Sequence, residues 1–181
     1  MDKSKEILFL GAEASGKTLL IRKIKSTILK VTREDDNRTI KTVGVNIDSF
    51  QLNNKNLVKL REVGSSMISR WTSYSDDCHM IVIVIDCSDP SSFPSAYILL
   101  LEIISHLNSS DSKAPKPLIL ALNKLDLADD SIIIQFKNIF QLDNLIELYN
   151  YTIDLYYGSS ISSPTNTSLI DELVSRIESL I

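Results

Sequence analysis

The stretch GAEASGKT, Gly11 to Thr18, follows the apolar run ILFL and opens the helical pattern KTLLIRKIKSTILK. A glycine, four residues, then Gly-Lys-Thr is the spacing that cradles a phosphate. Successive backbone N–H groups from Gly11 through Glu13, Ala14, Ser15 and Gly16, with the N-terminus of the following helix, would wrap a β-phosphate. Lys17 would reach the β- and γ-oxygens, and the Thr18 hydroxyl would ligate Mg²⁺. At ordinary composition the pattern arises by chance in roughly one chain in two hundred of this length. A strand before it and a helix after it make it more selective. The plain alternative is a Gly-bounded turn.

A second constellation, ALNKLD, closes a later apolar run with Asn123, Lys124 and Asp126. A carboxylate there can accept from guanine N1–H and N2–H₂, donors that adenine does not offer. Asn123 would brace the loop, and the Lys124 stem would lie along the base plane. N-K-x-D alone equally describes a helix start capped by Asp126. Downstream of a phosphate loop it points to guanine.

The elements that must position these residues are legible as periodicities. IVIVID and LILALN carry apolar residues in succession, which suits strands buried on both faces of a mainly parallel sheet. FQLNNKNL joins two strand-like runs through polar residues and reads as a hairpin. Leu169, Ile170, Leu173, Val174, Ile177, Leu180 and Ile181 recur at offsets of three and four, the stripe of a half-buried helix. Strands alternating with helices predict a doubly wound α/β domain. Only five glycines occur, and nearly all fall in loops beside strands, where such folds bind ligands.

Composition narrows the classes further. The chain has 181 residues, enough for one well-filled core and short for two domains. A net charge of −4 argues against nucleic acid as the main partner. Cys78 and Cys87 stand without a ladder of further Cys or His, so reduced structural thiols of an intracellular protein are expected. MDKSKEILFL runs straight into the phosphate loop, so no signal peptide is expected. Asp2 excludes N-myristoylation and RIESLI offers no prenylation cysteine, so no direct lipid anchor is expected. His79 and His106 read as structural. REDDNR reads as a solvated loop, and Trp71 as either an interface anchor or core.

Together these features resemble the small GTPases of the ADP-ribosylation factor (Arf) family. GAEASGKT is similar to the Arf loop, which has an acid third where Ras-type loops have glycine. TIKTVGVN resembles the Arf switch I, TIPTIGFN, and so assigns a Mg²⁺-binding threonine to Thr42. The hairpin and DCSDP after the fourth strand also fit, and the form of REVG with the following WTSY is similar to one branch of Arf-like proteins. The likeness spans essentially the whole chain. It implies a single domain over residues 1–181 with the P-loop small GTPase fold: α/β, a mostly parallel six-stranded sheet with one antiparallel hairpin strand, and helices on both faces. It implies GTP or GDP with Mg²⁺, and a cytoplasmic, monomeric switch. Its partners would be an effector, an exchange factor and any GTPase-activating protein that supplies a catalytic group in trans.

Departures from the family pattern concentrate in switch II. The family reads D-V-G-G-Q, whereas this chain reads Glu62-Val63-Gly64-Ser65-Ser66. Glu62 keeps a carboxylate near Mg²⁺, one methylene longer, with contact expected through a water. Ser65 replaces the glycine whose N–H meets the γ-phosphate. Ser66 replaces the glutamine that orients attacking water, a step of only about 10⁻⁴ s⁻¹ even in Ras, so hydrolysis should be very slow. A non-hydrolysing GTP-binding scaffold is the alternative, and a P-loop kinase or ATPase a third reading that NKLD speaks against. The last guanine loop, S-A in the family, aligns with Asp154-Leu155, whose leucine N–H would meet the base. Fewer residues separate Ser66 from Trp71 than in an ordinary Arf switch II. The family's amphipathic N-terminal helix is expected to be missing. The segment 25–39 is longer than usual, predicting a longer first helix and a mobile acidic switch loop.

Overall fold

The runs read as buried strands assemble into one sheet in a computed structural model, which describes residues 4–31, 37–52, 56–109, 115–161 and 168–180. β1 (Lys5–Leu10), β2 (Val45–Leu52), β3 (Asn56–Val63), β4 (Met80–Asp86), β5 (Leu118–Asn123) and β6 (Ile153–Tyr157) lie in the order β2-β3-β1-β4-β5-β6. Only the β2–β3 pair is antiparallel. β4 and β5 are buried at every position, which is why their apolar residues run without alternation. β2 is the edge, and of its residues only Phe50 and Leu52 are buried.

Two hydrophobic layers flank the sheet. On one face α1 (Lys17–Leu29) and α6 (Ser168–Ser179) place Leu20, Ile24, Leu169, Leu173 and Ile177 against Ile7 and Phe9 of β1. The other carries α2 (Trp71–Ser75), α3 (Phe93–Ser109), α4 (Ile132–Phe140) and α5 (Leu142–Tyr149). There Phe136 stacks on Phe140 with centroids 4.1 Å apart, and Phe93 meets both rings edge-on. These geometries add to the area buried and fix α4 against α3. No helix among the described residues is long and apolar enough to cross a membrane.

The fold agrees with the expected layers and departs in detail. α1 stops at Leu29, because Lys30 turns left-handed (φ 53°) and its N–H closes on the Ser26 and Thr27 carbonyls. The helix therefore does not extend into the acidic segment. Residues 32–36 of that segment lie outside the described residues, as do 53–55 of the hairpin and 110–114 and 162–167 of two polar loops. α5 was not foreseen, although Leu142, Leu145, Ile146 and Tyr149 carry helical spacing. Gln141, left-handed at φ 41°, separates it from α4. The thiols of Cys78 and Cys87 are buried, and burial pushes them up to about 11 and about 12, as suits inert structural cysteines.

Because β1, β3, β4, β5 and β6 run parallel, their carboxyl ends share one edge. The phosphate loop, Gly64, Asp86, Asn123 and Gly158 all arrive there. β2 runs the other way, so its entrance at Val45 brings residues 37–44 to the same edge.

Candidate functional site

A cleft of about 370 Å³ opens at that edge, within the size range of small-ligand sites. Five stretches form its walls: the phosphate loop, residues 37–42, Glu62 to Ser65, Asn123 and Lys124 with Leu127, and Ser159 to Ile161. Glu13, Ala14, Gly16, Lys17 and Thr18 line it directly, while Gly11 and Ser15 are buried behind the wall. Ala14 adopts a left-handed φ of 59°, which costs a non-glycine residue roughly 1 kcal/mol and marks a backbone held by its surroundings. α1 begins at Lys17, so its first N–H groups have no partner within the helix and favour an anion at this end.

Lys17 is buried, and its Nζ donates to the carbonyls of Gly11 (2.9 Å) and Ala12 (2.7 Å). Burial pulls its pKa below the usual lysine value, while the Glu62 and Glu13 charges oppose that shift. An ammonium held by carbonyls of its own loop is poised to exchange them for phosphate oxygens. Gly16 meets Asn123 so closely that a Cβ there would collide with the Asn123 amide nitrogen. That amide is the joint of the site. Its nitrogen donates to the Ser15 carbonyl (2.9 Å), and its oxygen accepts from the Ser160 N–H and hydroxyl (2.8 Å each).

Thr18, Thr42 and Glu62 converge. The Thr18 hydroxyl donates to Glu62 Oε1 at 2.7 Å, the Thr42 hydroxyl donates to the same oxygen at 3.0 Å, and the two hydroxyl oxygens are 3.2 Å apart. Glu62 is only 2% exposed, and its Oε2 has no hydrogen-bond partner among the described residues. A buried carboxylate left half-satisfied fits a hard cation. Among the described residues no cluster of three His, Cys, Asp or Glu could hold a metal; this group is two hydroxyls and one carboxylate. The two threonines expected at the metal, Thr18 and Thr42, come together here with Glu62.

The two switch segments are tied by backbone. The Gly64 N–H donates to the Gly44 carbonyl at 2.8 Å, and a Cβ on Gly64 would come within 2.5 Å of the Thr42 carbonyl. Trp71 closes the joint from below: it is buried, and its indole N–H donates to the Gly64 carbonyl at 3.3 Å. Of the two readings of this tryptophan, core packing is the one observed. Ser65 lines the cleft, whereas Ser66 is exposed and not among its walls. Glu13 and Lys41 pair at 2.7 Å between the phosphate loop and residues 37–42.

At the base end, Lys124 is left-handed and its ammonium pairs with Asp86 at 2.6 Å, so its stem crosses beside Gly16. Asp126 sits exposed on the turn Leu125–Leu127, next to the lining residue Leu127. It does not cap α4, which starts at Ile132 after Ser131. Leu155 is a correction. It lies inside β6, paired with Leu120 and packed on the core, so its N–H belongs to the sheet region and not to the cleft. The loop that meets Asn123 lies beyond the strand, at the buried Ser159 and Ser160. Gly158, which marks the strand's end, was the available signal for it.

The sequence model of the ADP-ribosylation factor family matches residues 1–177. The chain is 28% identical over 142 residues to ADP-ribosylation factor-like protein 16 of Homo sapiens, covering 77% of this chain and 69% of that protein. It is 26% identical over 174 residues to an ADP-ribosylation factor of Encephalitozoon cuniculi, covering 93% and 76%. The Arl6 (BBS3) small GTPase of Trypanosoma brucei, solved with the nucleotide analogue GppNp, superposes with a TM-score of 0.70 at 18% identity, covering 96% of this chain and 99% of that one. The mammalian SRP receptor structure gives 0.69 at 16%, covering 98% and 100%. Both likenesses concern the fold, the mixed six-stranded sheet with helices on each face.

Proposed function

The chain belongs to the ADP-ribosylation factor family, and from that premise we propose that it is a molecular switch binding GTP or GDP with Mg²⁺ and hydrolysing GTP slowly. The Asn123 joint carries the reading. One buried amide ties the phosphate loop at Ser15 to the base loop at Ser160, so the two ends of a nucleotide would share one rigid cradle. The solved trypanosome relative, with GppNp bound, supports the assignment.

In this reading Lys17 gives up the Gly11 and Ala12 carbonyls for phosphate oxygens, and Asp126 turns its carboxylate to the guanine edge. Thr18 and Thr42, with Glu62 beside them, would hold Mg²⁺, which when bound would neutralise phosphate charge. The Gly64 and Ser65 N–H groups stand at the γ-phosphate end. Thr42 and Gly64, already joined through Gly44, order together, and effectors read the result. Ile40, Val43, Ile47 and Ile68 are largely exposed around these segments and offer the apolar part of that surface. The protein acts as a cytoplasmic monomer, with an exchange factor and an activating protein setting its cycle.

A non-hydrolysing scaffold is the second reading, favoured by the exposed Ser66 whose short hydroxyl lies outside the cleft walls. Single-turnover phosphate release from GTP·Mg²⁺-loaded protein, beside a Ser66→Gln variant, separates the two. We expect slow release in the native protein and a gain in the variant. No release in either supports the scaffold, and ATP displacing GTP would sink both.

A further inference from the structure

We propose that Glu62 binds Mg²⁺ directly, as a carboxylate ligand within the metal's own coordination sphere and not through an intervening water. The inference rests on the nucleotide-switch reading and goes beyond it, because it gives the metal an anionic protein ligand in a position that a water would otherwise fill.

Thr18 Oγ1, Thr42 Oγ1 and Glu62 Oε1 form a triangle with edges of 2.7, 3.0 and 3.2 Å. Octahedral Mg²⁺ with bonds of about 2.1 Å sets adjacent ligands about 3.0 Å apart. The triangle therefore has the dimensions of one face of a Mg²⁺ octahedron. Ca²⁺, with bonds of about 2.4 Å, would need edges of about 3.4 Å. A carboxylate acting through a water would stand roughly 4 Å from the metal, since it must add a hydrogen bond to the metal–water bond. Glu62 Oε1 lies within hydrogen-bond distance of both hydroxyls, close enough to share a metal with them. Each hydroxyl can donate its proton to Oε1 and keep a lone pair for the cation, so the same three oxygens serve with the metal absent or present.

Charge at the site also calls for a cation. Glu62 is 2% exposed and Oε2 has no hydrogen-bond partner among the described residues. Its Oε1 receives only neutral hydroxyls, and the Lys17 ammonium is turned to the Gly11 and Ala12 carbonyls. A buried carboxylate without a contacting cation is costly. A divalent ion on the open side of the triangle supplies that charge.

Side-chain reach completes the geometry. The Glu62 backbone is fixed on both sides, opposite Phe9 in β1 and Asn46 in β2. Side-chain length alone then decides how far the carboxylate extends. An aspartate would stop about 1.5 Å short, one C–C bond, and a water would be needed to complete the contact.

Mn²⁺ loaded with GppNp in place of Mg²⁺ tests this by electron paramagnetic resonance. Counting coordinated waters from line broadening in ¹⁷O-water, we expect the native protein to show one water fewer than Glu62→Asp. Native protein carrying ¹³C-carboxyl glutamate should show a ¹³C hyperfine coupling to Mn²⁺, absent in Glu62→Gln, and this measurement on the native chain needs no variant to fold. Glu62→Gln should weaken Mn²⁺ binding by more than the roughly 10- to 100-fold that loss of an outer-shell partner costs. Absence of the ¹³C coupling in the native protein overturns the proposal, as does an equal water count in native and Glu62→Asp. Native protein that fails to retain Mn²⁺·GppNp at all overturns the nucleotide-switch reading itself, a separate result.

Discussion

At the scale of single residues, the site depends on a few buried polar atoms whose alternatives to pairing are poor. Asn123 is the sharpest case, because it satisfies a carbonyl of the phosphate loop and two donors of the Ser160 loop while only 1% exposed. Asn123→Ala would strand these groups out of water at a cost of about 1–3 kcal/mol for each one left unpaired. We expect a lower unfolding midpoint and GDP release at least tenfold faster; unchanged GDP release would show that the joint does not organise the cleft. Asn123→Asp should recover only the Ser160 side, since a carboxylate cannot donate to the Ser15 carbonyl. The sequence revealed this residue because its motif is contiguous. Glu62 was brought near Thr18 and Thr42 only by the family resemblance; its hydrogen bonds to these residues, far apart in sequence, follow from the registers of β3 against β1 and β2.

Among the elements, the switch segments derive their order from what lies beneath them. The turn Ser65–Arg70 has no buried residue of its own and holds a break at Met67. It is anchored at its ends, by Gly64 on Gly44 and by Trp71 in the core. Trp71→Phe keeps most of the apolar volume but loses the bond to the Gly64 carbonyl, worth about 1 kcal/mol. Trp71→Ala adds a cavity and should cost about 3–5 kcal/mol. If the Phe variant leaves stability nearly intact yet raises hydrogen exchange at Gly64 to Met67, the tryptophan is the anchor of switch II. Equal protection in both proteins would remove that role. Element boundaries also explain what the sequence concealed. The fully buried β4 and β5 and the striped α6 were legible because burial imposes a continuous pattern. The base loop was displaced by several residues because letter similarity at Asp154-Leu155 overrode the simpler sign that IDLYY continues as strand to Tyr157. α5 escaped because only the left-handed Gln141, an unremarkable residue in sequence, divides it from α4.

Across the whole molecule, the sheet separates a ligand edge from an opposite edge that holds the strands together, and pH should act on the second. His79 lies just before β4. Its N–H donates to the Glu6 carbonyl (2.7 Å), and its ring Nδ1 accepts from the Glu6 N–H (3.2 Å), closing β1 against the entrance of β4. That acceptor role requires Nδ1 to be unprotonated. Partial desolvation, then the charges of Lys5 and Lys116, pull the imidazole below its ordinary value of 6.5, with Glu6 opposing. The sign follows from linkage. Above pH 6.5 the ring is neutral in both folded and unfolded chains and costs nothing. As pH falls below 6.5 the unfolded chain takes up the proton first, so stability drops until the pH has passed below the folded value. The ring is largely exposed, so the effect should be modest. His79→Asn offers a carbonyl acceptor that does not titrate, and the difference in unfolding midpoint between native and variant cancels the carboxylates common to both. We expect that difference to move against the native protein as pH is lowered from 7 to 5, with the Asn123 joint and nucleotide retention changing in parallel in the two proteins. A pH-independent difference would mean that the Glu6–His79 pair does not couple β1 to β4 through protonation, and that this edge of the sheet is held by backbone alone.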